Sequence, residues 1–279
     1  MFTETETTYA PQIKSKTIST QICKQKSGRV RLLISQLFSG RDKPLKALIM
    51  LFDIDKQTIR DLNLFGDRTD NKPIFSVYNN TATKGGQEKM VKLFRTPVSD
   101  LEALQCRKAE INFFFVNDCS LKLKSRQIDF IEHYLINDRV PLRNNIIDAA
   151  YDSLRNKLSA NGDYWIISNG ILHIILLLAD LEVFINEAKS FQLPVTLGED
   201  LEQIKIFNAS KALRNSLNDP PKDIKDLTFA EINNLDQFIR VTRKKDFREL
   251  LNLVYKIDVL QTLGRIMKSN GFTLPEYST

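Results

Sequence analysis

From about residue 53 to the C-terminus, apolar side chains recur every three or four positions, and alternating β-type runs are nearly absent. That period keeps one face of a helix apolar, so the chain is restricted to packed helices. The clearest case is the last segment, where Phe247, Leu250, Leu251, Val254, Ile257, Leu260 and Leu263 share one stripe. A second segment, 165–192, is apolar nearly all round in its middle and reads as a helix buried between neighbours. Its apolar run ends where Asp180 and Glu182 interrupt it, well short of the roughly 20 residues that a membrane span needs. Glycine (10) and proline (9) are scarce and fall between the periodic segments. The expected fold class is all-α, with some very long helices.

Local signals place the boundaries. Thr83 precedes Gly85, Gly86 and an apolar pattern of Met90, Val91, Leu93 and Phe94 that ends at Pro97. Ser99 followed by Glu102 predicts a capping box, because hydroxyl and carboxylate can satisfy each other's exposed amides. Further helices are expected over 31–38, 121–136, 140–158 and 199–217. Thr228 with Glu231 predicts a second capping box, and Asn270-Gly271 a C-terminal stop. Residues 1–28 are polar, without amphipathic period, and read as loose. No repeat of fixed period is present.

The net charge of +6 invites a nucleic-acid reading. Its location weakens that reading. The first 50 residues hold nine basic and three acidic side chains, so the rest of the chain is formally neutral. Three widely spaced cysteines (Cys23, Cys106, Cys119) suit a reducing compartment better than a disulfide framework. No clean apolar stretch with a cleavage site follows Glu4 and Glu6. The expected location is therefore cytoplasmic.

Catalytic motifs are missing from the sequence. There is no Gly-x-x-x-x-Gly-Lys-[Ser/Thr] loop and no Gly-x-Gly-x-x-Gly fingerprint. His133 and His173 are isolated; the first reads as a solvated side chain and the second as a hydrogen-bonded core residue rather than a buried base. Acidic pairs such as Glu199/Asp200 and Asp223/Asp226 read as helix-start charges. No catalytic residue and no metal site is expected.

Two features have a positive reading. Arg240, Arg243, Lys244, Lys245 and Arg248 form a basic cluster. On a continuous helix, Arg240, Lys244 and Arg248 would share a face and could meet a phosphate backbone; a solvated face paired with Asp236, Asp246 and Glu249 is the alternative. The stretch Asn79-Asn80-Thr81-Ala82-Thr83-Lys84-Gly85-Gly86 leads polar side chains into a double glycine at a helix start. Such an end can receive an anion, or it can be a tight structural turn.

At this stretch the sequence resembles the core, or lever, domain of the MutS family of DNA mismatch repair proteins. The matching pieces are Asp53-Ile-Asp55-Lys56-Gln57-Thr58, Ile74-Phe75-Ser76-Val77-Tyr78 and the Asn79-to-Gly86 turn. They continue with Leu93-Phe94-Arg95-Thr96-Pro97-Val98-Ser99-Asp100 and Arg107. Near the C-terminus, Ile257-Asp258-Val259-Leu260-Gln261-Thr262-Leu263, Asn270-Gly271-Phe272 and Leu274-Pro275-Glu276 look like the final lever helix and its exit. The resemblance spans roughly residues 50–279, its middle matching only in helical character, and residues 1–49 match nothing in the family.

The resemblance implies a transmission element for DNA mismatch repair or a recombination-related role. It implies an ATPase domain directly after the exit, outside this chain, with ATP and Mg²⁺ bound there and none here. Thr83, Gly85 and Gly86 would shape the turn, Pro97 and Asp100 the helix junction, and Pro275 the exit. Three departures limit the match: the mismatch-reading domain with its Phe-x-Glu wedge, the connector and the clamp have no counterpart, and 193–227 is too short to hold a clamp. The partners expected are double-stranded or branched DNA, the ATPase domain of the same protein and a second copy in a homodimer, with no membrane. The rival reading is a helical scaffold that binds protein partners and not DNA.

Overall fold

Helices in this chain begin where a side chain can satisfy the first exposed amides. The computed structural model describes residues 54–66, 72–136 and 162–277, which form ten α-helices and, among the described residues, no strand. Helix α1 (Lys56–Asp61) starts at Asp55, whose carboxylate accepts from the Thr58 amide at 2.8 Å. Helix α2 (Ile74–Tyr78) follows Pro73. Helix α3 (Lys84–Arg95) is capped by the Thr83 hydroxyl, which accepts from the Gly86 amide at 2.9 Å. Helix α4 (Leu101–Val116) is capped by Asp100, which accepts from the Ala103 amide at 3.1 Å. The cap is therefore one residue later than the Ser99 start that the sequence suggests.

Helix α5 (Ser125–Ile136) also starts later than expected. The reason is a side chain from far along the chain. Gln261 accepts from the Leu121 amide at 3.0 Å and donates to the Leu121 carbonyl at 3.2 Å, holding that residue outside the helix as a strand partner would. Helix α6 (Gly162–Ala188) has 27 residues. The single helix expected over 199–217 is two, α7 (Val195–Asn208) and α8 (Lys211–Asn218). At the break, the Asn208 amide donates to the Leu178 carbonyl at 3.3 Å. The turn then directs Leu213 fully into the core. A short 3-10 turn (Ile224–Asp226) leads to α9 (Phe229–Asp236), which opens with the Thr228/Glu231 capping box that the sequence predicts. A π-helix (Gln237–Thr242) then precedes α10 (Lys244–Asn270), 27 residues long and closed by Gly271 at φ 64°. The helices expected at 31–38 and 140–158 lie outside the described residues.

α10 is the spine of the fold. Thirteen of its residues are buried, more than one stripe supplies, so it is packed on more than one side. Phe247, Leu250, Val254 and Ile257 join a large core with Ile131, Ile174, Leu178, Leu201 and Ile232. Val259 and Leu263 enter a smaller core with Phe75 and Met90. Each such side chain contributes on the order of 1.5–3 kcal/mol on burial, which exceeds the local helix propensities and explains why glycines survive inside these helices. α10 packs most extensively on α4 and α3, and α6 on α5, so the two long helices are not each other's main neighbours. The stretch Tyr164–Ala188 is long and apolar enough to cross a membrane, but most of its apolar side chains are buried in the protein core.

The α4–α10 contact requires a residue without a side chain. A Cβ on Gly264 would stand 2.8 Å from the Phe114 carbonyl carbon, which is backbone and cannot swing aside. Gly264→Ala should force the helices apart and cost about 1–3 kcal/mol, seen as a lower urea midpoint with an unchanged slope. An unchanged midpoint would show that the two helices have room to spare.

Candidate functional site

The turn before α3 and the middle of α10 form one joint. Asp258 is fully buried within the apolar stripe of α10. Its carboxylate accepts from the Ala82 amide at 3.0 Å, the Thr83 amide at 2.9 Å and the Thr83 hydroxyl at 2.7 Å. Thr83 thereby works in both directions, donating to Asp258 and accepting from the Gly86 amide. The two glycines are required by proximity. A Cβ on Gly86 would lie 2.4 Å from the Asp258 carboxylate, and one on Gly85 2.5 Å from the Tyr255 ring. Arg265, two turns further along α10, donates to the Asn80 carbonyl at 2.9 Å.

This geometry settles how the helix start is used. Exposed amides and the helix dipole favour an anion at such a place, and the anion present is the protein's own carboxylate. The structural-turn alternative describes this site. The sequence signal for Asp258 is a lone carboxylate in an apolar stripe, the mark of a group that needs a buried partner.

Two further networks flank the joint. Lys256 reaches Glu110 at 2.7 Å and Asp200 at 2.8 Å, and the Thr196 hydroxyl donates to Glu110 at 2.6 Å. Burial alone would lower the Lys256 pKa, but Glu110 and Asp200 outweigh it and hold it above the ordinary lysine value. The ammonium therefore ties α4, α7 and α10 together as a charged group. The Tyr255 hydroxyl donates to Glu132 on α5, and burial followed by that carboxylate raises its pKa.

The basic cluster does not form the expected row. The π-helix ends at Arg243, whose φ of −127° breaks the axis, so Arg240 and Lys244 do not lie on one continuous helix. Arg240 is buried, and its guanidinium grips Asp236 through two bonds of 2.6 Å. Asp236 also accepts from the buried Tyr134 hydroxyl at 2.7 Å, and the Arg240 guanidinium lies over the Tyr134 ring. Arg240 is thus removed from the set that solvent phosphates can reach. Arg243 pairs with Asp246 at 2.6 Å, and exposed Lys245 lies 3.9 Å from Glu249. Arg248 is exposed and Lys244 half-buried.

The remaining sequence candidates do not converge on the joint. Pro97 and Asp100 make the corner between α3 and α4, at the end of α3 away from Thr83. Pro275 is exposed in the segment after Gly271, where Phe272 approaches Tyr78 at 6.5 Å. His173 is half-buried and stacked on Phe130, and its Nδ1 finds no partner among the described residues, so it is not the hydrogen-bonded core histidine expected. Burial, then Arg126 and Lys124, lowers its pKa. Burial pushes the Cys119 thiol up to about 12. Among the described residues, no group of three His, Cys, Asp or Glu could hold a metal.

Compared with family models, curated proteins and solved structures, the chain finds no significant match in any of the three.

Asp258→Ala should leave the buried Thr83 amide and hydroxyl without their acceptor and cost about 3 kcal/mol or more in urea unfolding, and a loss below about 0.5 kcal/mol would show that the joint is not holding the turn. Arg240→Ala should cost about 3–5 kcal/mol, because it strands the Asp236 carboxylate. Arg248→Ala, at an exposed position, should stay within about 0.5 kcal/mol. Equal effects from the two arginines would contradict the buried assignment of Arg240.

Proposed function

We propose that the chain is a core domain of the MutS type, a helical element that couples an ATPase domain to DNA or partner contacts in mismatch repair or a recombination-related role. The observation that carries the reading is the joint at Asp258. Sequence resemblance singled out two separate stretches, the Thr83 turn and the string around Asp258, and these two bind each other across a separation of 175 residues. Two stretches matched independently thus form one structural unit.

In this reading Thr83, Gly85 and Gly86 fasten the turn to α10, and the Lys256 and Tyr255 networks fasten α10 to α4, α5 and α7. A tilt imposed at the C-terminal end of α10 would then move these helices together, shifting the population between two packings. ATP and Mg²⁺ would belong to the separate ATPase domain, and no residue of this chain is assigned to them. A scaffold that binds protein partners is the second reading, and the burial of Arg240 favours it, since one DNA-contact candidate is lost to the core.

Branched and linear duplexes titrated at several salt concentrations separate the two readings. The first predicts salt-dependent binding, with Lys245→Gln and Arg248→Gln each reducing the salt slope by about 1. No salt-dependent binding, or binding that both substitutions leave unchanged, would support the scaffold.

A further inference from the structure

The outer face where α5 meets α6 carries an aromatic cluster beside a run of cations. Trp165 is 53% exposed, an unusual position for the largest apolar side chain. Its ring meets Phe130 edge-on at 5.5 Å, and Phe130 stacks on His173 at 5.0 Å with the planes 28° apart. The Arg126 guanidinium covers the same Phe130 ring at 5.8 Å. Trp165, His173 and Asp180 lie within about 80° of one another around α6 and span roughly 22 Å at 1.5 Å per residue.

Charge on this face is mostly positive. Lys122, Lys124 and Arg126 lead into α5, all three are exposed, and none forms a salt bridge among the described residues. The opposing acid is Asp180, whose carboxyl burial raises while Lys124 and Lys122 pull it down. Asp129, also on α5, turns away to Lys84 at 3.6 Å. His173 is half-buried, with its ring against Phe130, and burial followed by Arg126 and Lys124 lowers its pKa.

We propose that this face binds single-stranded nucleic acid, with a base stacking on Trp165, which the Phe130–His173 pair backs, and phosphates meeting Lys122, Lys124 and Arg126. Single strands are held by this combination, since every base has a face to stack and every phosphate a charge to meet. Paired bases in a duplex are already stacked and cannot reach Trp165. The site is separate from the 243–248 cluster and stands on surface chemistry, so it does not depend on the family reading.

Trp165 is the only tryptophan in the chain, so its fluorescence reports the site directly. A thymine oligonucleotide of about 15 nucleotides should quench it saturably at low salt, and the duplex of the same length should bind more weakly. With a labelled oligonucleotide read by anisotropy, Trp165→Ala should weaken binding about tenfold. Combining Lys122→Gln, Lys124→Gln and Arg126→Gln should lower the slope of log affinity against log salt by about 2. These three changes touch only exposed side chains, and an unchanged circular dichroism spectrum separates lost binding from lost fold. No saturable quenching, equal affinity for duplex, or an affinity unmoved by either variant would overturn the proposal. Binding here without binding of branched duplex would leave this site standing and sink the DNA-coupling role, and the reverse outcome would do the opposite.

Discussion

One buried carboxylate organises the middle of this molecule. Asp258 sits in the apolar stripe of α10, where an unpartnered charge would cost several kcal/mol. The chain supplies three donors from the Thr83 turn, so the charge is tolerated only while that turn is docked. The consequence runs outward from this contact. Gly85 and Gly86 must lack side chains, Thr83 must present its hydroxyl, and α3 must start at Lys84. A charge inside a core is weak evidence for net stability, but it strongly selects the one arrangement that satisfies it.

The same logic recurs at two other places on α5 and α10. The Tyr134–Asp236–Arg240 group fixes the π-helix against α5, and the Lys256–Glu110–Asp200 group fixes α10 against α4 and α7. Apolar packing supplies most of the stabilisation, because the large core contains far more buried area than these groups cover. The polar groups instead determine register, since apolar stripes alone allow helices to slide by a turn. Gly264 and Gly170 set closeness in the same way, allowing backbone or ring contact where a methyl group would intrude.

The charge distribution changes meaning once the fold is known. Net charge along the described helices is nearly balanced in the sequence, yet its placement is uneven. Arg240, Arg243 and Lys256 face carboxylates, whereas Lys122, Lys124 and Arg126 stand exposed, with Arg126 over the half-buried Phe130 ring. A formal count treats these six as equivalent. What distinguishes them is the neighbour brought in by another helix.

Helical class, the α3 start at Thr83, the Thr228 capping box and the Gly271 stop were legible from the sequence, because period and capping act within a few residues. The Thr83 turn was legible as a distinctive string, though its purpose was not. What only the tertiary structure decided were the long-range pairings: Asp258 with the Thr83 turn, Gln261 with Leu121, and the Asp236–Arg240 pair with Tyr134. Arg240 shows why. Its spacing from Lys244 and Arg248 is helical, but a π-helix and a break at Arg243 lie between, and the cost of stranding Asp236 holds it inside. Local physics determined which segments are helices. Which faces meet depended on buried polar groups finding partners more than 100 residues away, and no local pattern encodes that distance.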